Sequence, residues 1–139
     1  MSSRHARSAR FEASIRIALV IATMVFLSYP SVARPSNPIL VGKDGLRRAH
    51  NAYVISLTFP DGTRVTSIPA GTYILVVHDY SRIHNFALGS QTQNKRLLTT
   101  GIRWRGTRTY NIALSPGNYA YACSAHFRTM NGAFTVTAQ

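Results

Sequence analysis

The chain is poor in cysteine, in acidic residues and in long apolar runs, and each shortage excludes something. Cys123 is the one cysteine among 139 residues, so no disulfide can close within the chain. An immunoglobulin-type framework falls on that count, because its second cysteine needs a partner on an earlier strand. Asp and Glu number 4 against 16 Lys and Arg, a formal charge of +12. Such a balance usually points to nucleic acid, but here the basic residues are scattered and no stacking platform lies among them. The longest apolar run, Ile17 to Leu27, has 11 residues, short of the about 20 needed to span a bilayer. Beyond it there is no helical period of useful length and no internal repeat. The length bounds the chain to one ordinary domain with a real core.

What is present begins with a targeting layout. "MSSRHARSARFEASIR" is basic, "IALVIATMVFL" is apolar, and "SYPSVA" ends in small residues, with Ser31 and Ala33 at the −3 and −1 positions. This is the order of regions in a secretory signal. Residues 1–33 are expected to be a signal peptide cleaved after Ala33; an uncleaved anchor is the alternative. No Arg-Arg pair precedes the run, which argues against twin-arginine export, and no cysteine follows it to take a lipid. A periplasmic or secreted monomer with no stable membrane insertion is the expectation. Cleavage would leave 12 basic against 3 acidic residues. In an oxidising compartment, a leftover thiol calls for intermolecular pairing or for chemistry.

Residues 34–50 read as a linker or arm, because "RPSNP" is proline-rich and "GKDG" is turn-like. Strand and turn follow. "AYVISLTF" is rich in β-branched and aromatic residues and is broken by "PDG"; "TRVTSIP", "YILVVHD" and a short "HNFAL" come next. Residues 89–106 read as a polar loop. "TRTYNIAL", "NYAYAC" and "GAFTVTA" close the chain, the first two separated by "SPG". Short strands at this spacing indicate an all-β sandwich or barrel over residues 51–139.

The chemistry-bearing stretch is "CSAHFRTMNGAF", which sets Cys123, His126 and Met130 on one short loop. A thiolate, two imidazoles and a thioether form the ligand set of a blue-copper centre, with His₂Cys in a plane and a weak axial Met. Thiolate sulfur stabilises Cu(I), imidazole suits both oxidation states, and a weakly held fourth ligand tunes the potential. The second histidine must come from elsewhere. "RIHNFAL" offers His84, and "VVHDY" offers the competitor His78. His5 falls in the signal segment and His50 in the arm.

At these residues the sequence resembles the plastocyanin/azurin group of cupredoxins. The likeness rests on His84-Asn85-Phe86, then Cys123, His126, Met130, Gly132, Phe134 and Val136, and covers about residues 52–137. It implies a Greek-key β-sandwich with one mononuclear copper held by His84, Cys123, His126 and Met130. It also implies that Asn85 hydrogen-bonds to the backbone or hydroxyl of Ser124, tying two ligand-bearing segments together. Arg128, in the middle of the ligand loop, is a departure. The implied role is one-electron transfer with a redox partner protein. With all four coordination positions filled by protein, no position stays open for substrate, and the chain is not expected to be an enzyme. The alternative is a protein that buffers or delivers copper, although only three methionines occur, one the initiator and one in the signal segment. A Cys123 nucleophile with a histidine base would leave Met130 and the His84-Asn85 pairing unexplained. "GIRWRGTR" presents Arg103 and Arg105, with Arg108 close by, either as a solvated basic face or as a dock for an acidic partner.

Overall fold

The computed structural model describes residues 36–139, and the expected signal segment lies outside them. The described residues form strands and turns and no helix. The strands are β1 (Ile39–Asp44), β2 (Ile55–Thr58), β3 (Ser67–Pro69), β4 (Gly71–Asp79), β5 (Ala87–Ser90), β6 (Lys95–Thr99), β7 (Gly106–Leu114), β8 (Gly117–Ala122) and β9 (Asn131–Thr137). They make two sheets, ordered β2-β1-β4-β7 and β3-β9-β8-β5-β6. Both are mixed, since β1 runs parallel to β4 and β3 parallel to β9. The chain crosses repeatedly from one sheet to the other, which makes a Greek-key β-sandwich.

The core follows from alternation. On β4 every second residue, Tyr73, Leu75 and Val77, is buried; on β8 the buried ones are Tyr119 and Tyr121, and on β9 Phe134 and Val136. Leu40, Leu57, Ile112 and Leu114 complete the same cluster. Aromatic stacking runs through it, with Phe86 against Tyr121 at 5.8 Å and Tyr119 against Phe134 at 5.4 Å. The Tyr119 hydroxyl donates to the Ser115 carbonyl at 2.9 Å, four residues upstream, and accepts the Ser115 N–H at 3.1 Å. That pair of bonds satisfies a buried phenol and fixes the turn into β8.

Two segments differ from the sequence expectation. Residues 34–50, expected as a linker or arm, contain β1, which lies between β2 and β4 inside the first sheet. Its inward positions are Leu40, Gly42 and Asp44, so only one of the three is apolar and large, and alternation could not flag it. Gly42 is there because a Cβ would come within 2.8 Å of the Phe86 ring. The expected polar loop 89–106 contains β6, an edge strand whose two leucines are adjacent rather than alternating.

Candidate metal centre

The end of the sandwich where β4 finishes and β8 hands over to β9 brings the candidate ligands together. His84 sits in the connection from β4 to β5, Cys123 directly follows β8, and His126 and Met130 lie on the turn leading into β9. That turn is wound on its own backbone. The His126 N–H donates to the Cys123 carbonyl at 3.1 Å, and the Met130 N–H to the His126 carbonyl at 2.8 Å. Its mouth is closed by the Cys123 N–H donating to the Met130 carbonyl at 2.9 Å. Gly132, the second residue of β9, has no side chain because a Cβ there would fall on the Tyr121 ring.

Cys123, His84 and Met130 are buried, while His126 is half-buried. The Nδ1 atoms of His84 and His126 are 3.0 Å apart, and the Cys123 sulfur lies 3.9 Å from the first and 3.5 Å from the second. A planar three-coordinate first-row ion needs about 3.5 Å between nitrogens and about 3.7 Å from nitrogen to sulfur, given bonds of about 2.0 and 2.3 Å. The observed triangle approaches that, tight by about half an ångström between the nitrogens. Tautomer supports the same reading. His84 Nε2 faces the Asn51 carbonyl at 3.3 Å, a bond it can make only as the donor. A neutral ring so protonated has its Nδ1 lone pair directed at Cys123 and His126, and a carbonyl partner on the outer nitrogen is how metal-bound imidazoles are held. Among the described residues, this is the group of His, Cys and carboxylate side chains with ligand spacing. Met130 is fully buried, and its carbonyl accepts the Cys123 N–H at the mouth of the same turn.

Asn85 straps the two ligand segments. Its side-chain carbonyl accepts the Ser124 N–H at 2.8 Å, and its amide donates to the Ser124 hydroxyl at 3.1 Å. The same amide donates to the Thr99 hydroxyl at 2.9 Å, anchoring the strap to the end of β6. His78, the competing histidine, is on β4 and bonds the Thr107 hydroxyl at 2.9 Å, apart from the cluster. His50 faces Arg105 at 3.2 Å and is likewise outside it.

One residue near the histidines was not foreseen. Tyr53 presents its ring edge-on to His84 at 5.0 Å and to His126 at 4.8 Å, yet is 57% exposed. The sequence places Tyr53 only as one aromatic of a strand segment, and its contact with both histidines depends on how the connection from β1 to β2 folds over them. Phe127, beside His126, is 60% exposed.

No protein-family description matches the chain, and no curated protein matches it in sequence. Solved structures do resemble it. Rusticyanin from Thiobacillus ferrooxidans superposes with a TM-score of 0.52 at 16% identity, covering 71% of this chain and 76% of that one. Reduced rusticyanin gives 0.52 at 17% identity over 71% of this chain and 78% of its own. Auracyanin A, a "blue" copper protein from Chloroflexus aurantiacus, gives 0.47 at 16% identity, covering 73% of this chain and 100% of its own. At such identities the rusticyanin likeness establishes a shared fold.

Proposed function

We propose that this chain, a cupredoxin by fold, holds one copper ion in a type 1 site and carries single electrons between redox proteins. The observation that carries the reading is the convergence of one buried thiol and two imidazole nitrogens at ligand spacing. Cys123 would supply the soft thiolate, His84 and His126 the imidazole donors, and Met130 a weakly held thioether. Bound there, copper supplies a Cu(II)/Cu(I) couple. The chain supplies rigidity: the wound turn, the Asn85–Ser124 strap and the capped His84 ring hold the donors in one geometry. A site that does not rearrange wastes little energy on reorganisation, which suits a carrier. His126, half-buried between exposed Ala125 and Phe127, is the edge through which electrons would pass.

Protein donors fill all four positions, so substrate chemistry at the metal is not part of the reading. Copper delivery is less well supported, since Met130, the methionine among the described residues, is buried. The partner would be an acidic redox protein. Arg47, Arg48, Arg82, Arg103, Arg105 and Arg128 are all exposed on connections at the end that carries His84 and the Cys123–Met130 turn. Arg108 instead lies over the Trp104 ring at 4.4 Å. Asp61 is the exposed acidic residue among the described ones, the other two being buried. Export as a monomer, with cleavage after Ala33, completes the proposal.

The visible spectrum of the copper-loaded protein tests it. A strong thiolate-to-copper charge-transfer band is expected, lost on Cys123→Ser and on His84→Ala and kept on His78→Ala. A colourless protein that rejects Cu(II) would overturn the reading.

A further inference from the structure

Two aspartates are buried face to face behind the candidate metal centre. Asp44 ends β1 and Asp79 ends β4, the parallel register pairs them directly, and both are fully buried. Their partners differ. Asp79 accepts the Ser81 N–H at 3.2 Å and the Thr100 hydroxyl at 2.8 Å. Among the described residues neither Asp44 oxygen has a hydrogen-bond donor, and the residue paired with it across the strands is Asp79.

A carboxyl with an acceptor beside it and no donor in reach is satisfied in one way, by carrying the proton. The surroundings offer no alternative. From β1 and β4 the adjacent titratable pair, Lys43 and His78, projects on the outer side, and β7 presents Gly106 opposite Asp79. The end of β6 and the start of β5 bring Thr100 and Phe86; the connection after β4 brings Ser81 and His84. The turn after β1 brings the backbone of His50 near Gly45. Among the described residues no lysine or arginine acts on either carboxyl.

We propose that Asp44 and Asp79 form a proton-binding site, with one proton held on Asp44 and donated to Asp79, that locks β1 to β4 beneath the loop bearing His84 and Asn85. The lock reaches that loop through Thr100. Its hydroxyl donates to Asp79 and accepts the Phe86 N–H at 2.9 Å, and its backbone N–H donates to the Phe86 carbonyl at 2.9 Å. Losing the proton leaves two buried carboxylates side by side, and they can be relieved only by water entering between the strand ends. Burial, then the Asp79 charge and the shared hydrogen bond, push the Asp44 carboxyl up to about 8. In the unfolded chain the same group titrates near about 3.9. The folded protein therefore binds the extra proton, its stabilisation is complete below about pH 4, and it is lost as pH rises through about 8.

The site needs no metal, so it is tested on the apo protein and stands or falls apart from the copper reading. At neutral pH the infrared spectrum should show a protonated carboxyl band that disappears on titration through about pH 8. No such band at neutral pH would overturn the proposal. Thermal unfolding from pH 5 to 9 gives the second readout. Asp44→Asn keeps a neutral donor to Asp79, so it should gain on the wild type as pH rises and exceed it at the alkaline end. Parallel profiles for wild type and Asp44→Asn would overturn it.

Discussion

Two buried polar clusters lie at the same end of this sandwich, and they solve the same problem differently. One is made of nitrogen and sulfur donors, His84, His126 and Cys123, whose ligand atoms converge. The other is made of two acids, Asp44 and Asp79, that also face each other. Burying like with like is costly unless something is placed between. Between soft nitrogen and sulfur donors a metal ion serves; between two carboxyls a proton does. Thr99 and Thr100, adjacent at the end of β6, bind Asn85 on one side and Asp79 on the other, so a single dipeptide supports both clusters.

The comparison is broken most severely by removing the thiol. Cys123→Ser should abolish the charge-transfer band and weaken copper binding by orders of magnitude, because a hydroxyl is no soft anionic donor. The same variant should leave the alkaline loss of apo stability unchanged, measured by thermal unfolding against pH. A parallel loss of that step would mean the clusters are one unit.

Asn85→Ala cuts the strap between the ligand segments and leaves the Ser124 N–H without its partner. A loss of about 10–100-fold in copper affinity is expected from removing such an outer support. Competitive chelator titration measures it, and an unchanged affinity would show that the turn holds its own shape.

Gly132→Ala strikes packing beneath the ligand turn, because the methyl meets the Tyr121 ring. A cost of about 1–3 kcal/mol is expected by denaturant unfolding of the apo protein. The alkaline step from the carboxyl pair should keep its position, since β1 and β4 are not touched.

Met130→Leu is the gentle probe. Fold stability should change by less than about 1.5 kcal/mol, as for a volume-conserving swap. The blue band should survive, and the reduction potential should rise, because losing the thioether disfavours Cu(II). Voltammetry reads it; identical potentials would assign the axial position elsewhere. The smallest effect concerns the exposed arginines. Electron transfer with an acidic partner should slow between low and high salt, as steering by charge is screened. A flat salt profile would leave the arginines as a solvated face.

How much was readable before the fold depended on whether the signal was local. β4, β7, β8 and β9 announce themselves, since they are rich in β-branched and aromatic residues and bounded by turn residues, with β9 alternating apolar and polar. β1 does not, since two of its three inward positions are Gly42 and Asp44. Gly42 answers to Phe86 and Asp44 to Asp79, both far along the chain, and no local pattern encodes either demand. β6 is hidden for the opposite reason: an edge strand exposed on one side needs little alternation. The metal cluster was half local. Cys123, His126 and Met130 share one turn, whereas only the Asn85 neighbour distinguishes His84 from His78 in the sequence, and the fold separates the two.

By itself the sequence determined the all-β class, the candidate ligands and the scarcity of acids, because alternation, side-chain chemistry and composition are properties of neighbouring residues. Tertiary structure decided what depends on distance through space. It placed Tyr53 against both histidines, bound Asn85 to Ser124, and carried β1 into the sheet beside β4. That last placement gave the two aspartates each other. Asp44 and Asp79 lie on separate strands, and only parallel pairing in register makes two ordinary acids into one buried pair that shares a proton.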